Sequence, residues 1–199
     1  MAALLRFFYS PLISAIIIIF NLFLIVHYQD NKNFYKIEHV NTTIYIDDDF
    51  NQKEIEYIIL AATEWSNATN NIVEYNFILS TNLDNKTDLS KDKLFFKKVS
   101  KYNPDIFLID LARDSKTIGL YIGASSTPTI LLVSNRLDNS IYKSVIMHEI
   151  GHSLGLRHID GAYGLDTLMY PYIDFGADYI TSKDLIQFCT KYNCNSINK

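Results

Sequence analysis

His148-Glu149-Ile150-Gly151-His152-Ser153-Leu154-Gly155-Leu156-Arg157-His158 has the form H-E-x-x-H-x-x-G-x-x-H. Residues four apart on an α-helix share a face, so His148 and His152 can present their ring nitrogens to a single ion. Glu149 lies about 100° further round the helix, too far aside to be an obvious ligand. It is well placed to hydrogen-bond a water held on that ion. A straight helix would carry residue 158 away from the metal. Gly155 can adopt positive φ at little cost, so the helix is expected to end there and the chain to turn back, bringing His158 to the ion.

Three histidines leave the fourth tetrahedral position open for water, the arrangement of a catalytic zinc rather than a closed structural one. The ion lowers the pKa of its water from about 9 towards about 7. Glu149 would take the proton as that zinc-bound water attacks a peptide carbonyl and pass it to the leaving amine, while zinc stabilises the oxyanion. The plainer alternative is a buried amphipathic helix whose histidines are satisfied by carbonyls. Against it, the chain has only five histidines and three of them fall in this motif.

Followed by Leu168-Met169-Tyr170-Pro171, the motif resembles that of the metzincin zinc endopeptidases, and within them it is most similar to the matrixin group. The resemblance implies an α+β catalytic domain. Its twisted mixed β-sheet would have about five strands, with three main helices including the zinc-binding helix. Carried across position by position, it implies His148, His152 and His158 as zinc ligands, Glu149 as general base and Met169 as the hydrophobic floor of the site. Pro171, Tyr172 and Ile173 would form one wall of the pocket for the residue just after the scissile bond. Ile159 and Ile173 stand where matrixins usually carry Ser and Tyr. Residues 40–147 hold no histidine, so a single zinc is expected and the second, structural ion of vertebrate matrixins is not. Asp184 matches a carboxylate that matrixins bury near the Met-turn, which implies structural support rather than catalysis. Asp160, Asp174 and Asp178 could bind calcium in a loop, but they show no regular ladder of ligands and read as surface acids, which leaves calcium unsupported.

The chain has 199 residues, of which 48% are hydrophobic, with 14 Tyr and 12 Phe, enough for one substantial core. A formal charge of −4 gives no reason to invoke nucleic acid. Residues 7–29 contain no Asp, Glu, Lys or Arg. As a helix they would span about 34 Å, enough to cross a hydrocarbon core of roughly 30 Å. Arg6 precedes them, so an uncleaved signal anchor would leave the N-terminus cytoplasmic and the zinc domain extracellular, lumenal or periplasmic. The rival is a cleaved signal peptide and a secreted product, but no small-x-small cleavage site follows. The expected organisation is an anchor over 1–29, a spacer over 30–42, the peptidase domain over 43–190 and a tail over 191–199. The only cysteines, Cys189 and Cys194, could close a small loop in an oxidising compartment or remain two solvent-side thiols.

Along the chain, residues 43–46 alternate as a half-buried strand. Ile55, Ile58, Ile59, Ala62 and Trp65 recur at helical spacing over 52–68, and 72–79 reads as a second strand. Residues 80–103 are polar with Leu94-Phe95-Phe96 embedded, and read as an insertion. The apolar run 105–109 fits a buried central strand, and 119–123 and 129–133 read as two more. In the resembled fold the strand nearest the metal is an exposed edge. Gly119, Leu120, Tyr121 and Ile122 are the candidates for it, a row to which a peptide substrate could add by backbone pairing, or an ordinary edge strand. Asn139 or Ser140 can cap the helix that carries His148. Thr181 or Ser182 starts a last helix through Leu185, Ile186 and Phe188.

These readings converge on a zinc-dependent endopeptidase acting on polypeptide, anchored to a membrane through residues 7–29. A zinc-stabilised surface or binding module without turnover is the alternative from another class, and intact Glu149 argues against it. Hydrolysis of a non-peptide amide would use the same chemistry with different pocket walls.

Overall fold

Asn51 and Glu54 fix the start of the first helix, α1 (Gln52–Ala68), by capping each other. The Asn51 side chain accepts the Glu54 N–H at 3.1 Å and the Glu54 carboxylate accepts the Asn51 N–H at 2.7 Å. The structure is a computed structural model that describes residues 39–80, 92–99, 117–123, 127–133, 136–172 and 176–194. Ile58, Ala61, Ala62 and Trp65 on one side of α1 are fully buried, whereas Ile59 is 37% exposed and lies at the margin of that face.

Five strands form one mixed sheet in the order β2-β1-β3-β5-β4. They are β1 (Val40–Asp47), β2 (Val73–Ser80), β3 (Lys93–Val99), β4 (Gly119–Ile122) and β5 (Thr129–Val133). The first four in that order run parallel, and β4 is antiparallel to β5. Two further main helices follow, α2 (Asn139–Ser153) and α3 (Ser182–Tyr192), separated by the single helical turn Gly161–Gly164. Among the described residues the fold is therefore α+β, with the mixed five-stranded sheet and three main helices that were expected. Among the described residues no helix is long and apolar enough to cross a membrane. Residues 7–29 lie outside them.

The central strand differs from expectation. Residues 93–99, read from sequence as part of a polar insertion, form β3 in the middle of the sheet, between β1 and β5. The run 105–109 lies outside the described residues. Three lysines hide the strand pattern of β3. Leu94, Phe95 and Phe96 are nonetheless buried on both faces, and Lys98 carries its charge out to the Glu54 carboxylate at 2.8 Å and the Asp49 carbonyl at 3.1 Å.

Alternation along the strands divides the apolar residues between two faces. Ile44, Ile46, Leu94, Phe96, Ile130 and Leu132 join α1, α2 and α3 in the main core. Val99, Leu131 and Val133 form a smaller cluster on the other face, against which Leu120 and Ile122 pack. Gly119 and Tyr121, out of phase with those two residues, are thereby turned towards α2.

Candidate metal centre

The H-E-x-x-H-x-x-G-x-x-H motif begins on the last turns of α2 and runs on past its end at Ser153. Its N-cap is Asp138, whose carboxylate accepts the Ser140 N–H at 3.4 Å, so the cap falls one residue before the expected Asn139 or Ser140. The helix ends at the predicted glycine. Gly155 takes φ of 80°, its N–H donates to the His152 carbonyl at 2.8 Å, and the Leu156 N–H donates to the Gly151 carbonyl at 2.9 Å. That pair of bonds is a Schellman motif, and Leu156, buried beside Ile150, supplies its apolar contact. The chain then reverses and carries His158 back to the helix.

His158 Nε2 lies 3.2 Å from His148 Nε2 and 3.1 Å from His152 Nε2. The outward nitrogens of the two helical histidines are already engaged. His148 Nδ1 donates to the Leu168 carbonyl at 2.7 Å and His152 Nδ1 to the Leu156 carbonyl at 3.0 Å. A neutral imidazole has one N–H, so both of these rings turn an unprotonated Nε2 towards the third. Burial holds His148 neutral, lowering its pKa to about 4 against the opposing pull of the Leu168 carbonyl, and it lowers His152 in the same direction. Lone pairs converging on one point with too few protons to share are a donor set for a cation. Nitrogens about 2.0–2.1 Å from a tetrahedral zinc would stand about 3.3 Å apart, close to the spacing seen here. The three histidines therefore fit one zinc ion.

Glu149 is 6% exposed, and desolvation raises its carboxyl to about 8, opposed by the Tyr121 backbone N–H that donates to it. Gly119 makes that approach possible. A Cβ there would lie 2.8 Å from Glu149 Oε1 and 2.8 Å from a Val145 methyl. No local pattern ties Gly119 to Glu149, because the contact depends on β4 packing across α2. The carboxylate and the three histidines open onto one cleft of about 720 Å³, bordered by Ile118, Val145, Tyr170, Pro171 and Tyr172 and by all four of Gly119, Leu120, Tyr121 and the neighbouring Thr117. Ile122 belongs to β4 but does not border the cleft, and Ile173 lies outside the described residues.

Beneath the histidines runs the Met-turn. Asp184 is fully buried and accepts the N–H groups of Leu168 and Met169, each at 3.1 Å, and the Thr181 N–H at 2.8 Å. The Thr181 hydroxyl donates to the same carboxylate at 2.6 Å. Since the Leu168 carbonyl accepts from His148, a hydrogen-bonded path runs from α3 through the Met-turn to a helical histidine, as a supporting role for Asp184 requires. Met169 is fully buried under α2, and a Cβ on Gly151 would lie 2.5 Å from its sulfur. The Ile159 N–H donates to the Met169 carbonyl at 2.9 Å, joining the end of the motif to the turn. Asp160 and Asp178 are exposed and belong to no metal-sized group among the described residues, and Asp174 lies outside them. Cys189 and Cys194 form a disulfide at the end of α3.

An α+β domain with three converging histidines beside a buried glutamate is the arrangement that a zinc metallopeptidase of the metzincin type requires. Residues 28–187 match the family model for matrixin, Peptidase M10, and the chain belongs to this family. Among solved structures it is similar to an archaemetzincin from Methanopyrus kandleri, with 12% identity and a TM-score of 0.46 over 78% of this chain and 97% of that one. It is also similar to high choriolytic enzyme 1, a hatching-enzyme zinc protease of the medaka fish Oryzias latipes, with 15% identity and a TM-score of 0.43 over 79% and 91% of the two chains. No curated protein sequence matches it.

Proposed function

We propose that this zinc metallopeptidase is a membrane-anchored endopeptidase in which His148, His152 and His158 ligate the ion and Glu149 is the general base. The observation that carries this reading is the convergence of the three Nε2 atoms and the Glu149 carboxylate on one cleft beside β4. Zinc bound there supplies a Lewis acid for the scissile carbonyl and lowers the pKa of water. Glu149 takes a proton from the attacking water as the new C–O bond forms, and returns it to the amine as the C–N bond breaks. Its hydrogen bond to Tyr121 holds the carboxylate in place for both transfers.

The edge strand suits an extended substrate. The Val133 N–H donates to the Ile118 carbonyl, so in an antiparallel ladder Ile118, Leu120 and Ile122 pair with β5. The backbone groups of Gly119 and Tyr121 face outwards, beside Glu149, which takes the Tyr121 N–H and leaves the Gly119 groups and the Tyr121 carbonyl for pairing. A peptide added to that edge by main-chain pairing lies across the three histidines with little demand on its sequence. Met169 floors the site, and Pro171 and Tyr172 wall the pocket for the residue after the scissile bond. Residues 7–29 supply the anchor, with Arg6 on the cytoplasmic side.

Glu149→Ala should abolish cleavage of an unfolded protein while leaving stoichiometric zinc, measured by elemental analysis. Cleavage at the wild-type rate in that variant would rule out the mechanism. Carbonate extraction tests the anchor, since recovery of the full chain in the soluble fraction would exclude it.

A further inference from the structure

Two of the three histidines sit on a helix, whereas His158 sits on the chain that leaves it. Leu156 is anchored in the core and Ile159 is bonded to Met169, but Arg157 and His158 between them are exposed. No apolar packing fixes the peptide unit just before the third histidine.

Helix α3 reaches that peptide with a single side chain. The Arg157 N–H donates to Gln187 Oε1, and Gln187 Nε2 donates to the Arg157 carbonyl at 3.1 Å. A carboxamide offers one acceptor and two donors on a planar group, so it can engage both the N–H and the C=O of one residue. One turn further along α3, Lys191 Nζ and the Tyr192 hydroxyl both donate to the Leu154 carbonyl, at 2.9 and 3.0 Å. The reversal after α2 is thus gripped from α3 at its beginning and again at residue 157. The Leu156 carbonyl between those grips accepts from His152 Nδ1, so the same brace orients a helical histidine as well.

From this geometry we infer that Gln187 is a positioning residue for the third zinc ligand. Its carboxamide fixes the Arg157 backbone and thereby the direction in which His158 presents Nε2. The inference rests on the reading of His158 as a ligand. Gln187 touches neither the histidines nor the cleft, so its effect is on zinc retention. Partners that orient a ligand commonly change metal affinity by about 10- to 100-fold when removed.

The test is the rate at which the full chain, solubilised in detergent, loses zinc to a chromophoric chelator, alongside the thermal unfolding of the zinc-free protein. Gln187→Ala should release zinc at least about 10-fold faster with zinc-free unfolding unchanged. Gln187→Glu, which still accepts the Arg157 N–H but cannot donate to its carbonyl, should fall between. Ile186→Ala, an exposed neighbour on the same helix, should match wild type. His158→Ala separates the two levels of the argument. If it holds zinc as tightly as wild type, the ligand assignment fails and this inference with it. If it loses zinc while Gln187→Ala stays within twofold of wild type, or loses zinc only in proportion to a loss of zinc-free stability, Gln187 has no positioning role.

Discussion

The half of the domain built on β1, β2, β3 and α1 and the half built on residues 154–194 are held together by different means. In the first, Ile44, Ile46, Phe96, Ile58, Ala61, Ala62 and Trp65 are all fully buried, and apart from the Lys98 bonds to Glu54 and Asp49 the helix is joined to the sheet chiefly by apolar side chains. In the second, side chains from α3 bond to backbone groups: Asp184 to the Met-turn, Gln187 to Arg157, Lys191 and Tyr192 to Leu154. Apolar packing tolerates small shifts at modest cost, whereas hydrogen bonds fix directions. A metal centre needs its donors aimed, and the aiming half is the one built from directional bonds.

The largest effect should come from the pair Ile58→Ala and Asp184→Ala. Truncating a fully buried isoleucine costs about 2–5 kcal/mol through lost transfer energy and the cavity left behind. Removing the Asp184 carboxylate strands the N–H groups of Leu168, Met169 and Thr181, a loss of about 3–5 kcal/mol. Urea unfolding should therefore show similar destabilisation for the two variants. Zinc affinity should separate them, falling about 10- to 100-fold in Asp184→Ala and less than threefold in the folded fraction of Ile58→Ala. Equal zinc affinity in the two would break the distinction between the halves.

Gly119→Ala probes the packing of β4 on α2, which lies between the two halves. The added methyl would overlap Glu149 Oε1 and Val145, both at 2.8 Å, and push the carboxylate off the Tyr121 N–H. A displacement of about 1 Å at the reacting centre can cost about 100-fold in rate. A fall of roughly 10- to 100-fold in kcat is expected, with KM and zinc content near wild type. An unchanged kcat would show that Glu149 has room to move.

The same division explains what could be read from the chain alone. Helix α1 was legible to the residue from its regular apolar spacing, although the Asn51 cap that starts it was not read. The motif on α2 and the reversal at Gly155 were legible because their geometry is local. β3 was not, since lysines interrupt its apolar run and only the sheet shows that Leu94 to Phe96 are buried on both faces. The edge strand at Gly119 to Ile122 was expected, but the contacts of Gly119 and Tyr121 with Glu149, and that of Gln187 with Arg157, gave no signal. Each acts by backbone groups or on backbone groups far away in sequence, and such contacts leave no periodicity or spacing behind. The disulfide stood as one of two readings, decided only when the end of α3 placed Cys194 in the core beside Cys189.

The smallest effect should come from a polar flaw in the apolar half. The Tyr75 hydroxyl on β2 is buried without a hydrogen-bond partner. Burial, with a smaller contribution from Tyr192, raises its pKa well above the ordinary phenol value. Tyr75→Phe removes an unsatisfied polar atom and keeps the ring, so it should leave stability unchanged or raise it by up to about 1 kcal/mol. The sign with pH follows from linkage. Above about pH 10 the unfolded chain ionises this phenol while the folded one keeps its proton, so the folded state binds more protons and stability falls as pH rises. Tyr75→Phe should therefore lose less stability than wild type between pH 9 and 11, as measured by urea unfolding at each pH. A variant that is less stable at pH 7 and shows the same alkaline decline would mean that the hydroxyl is satisfied, and that directional bonding extends into the half held by packing.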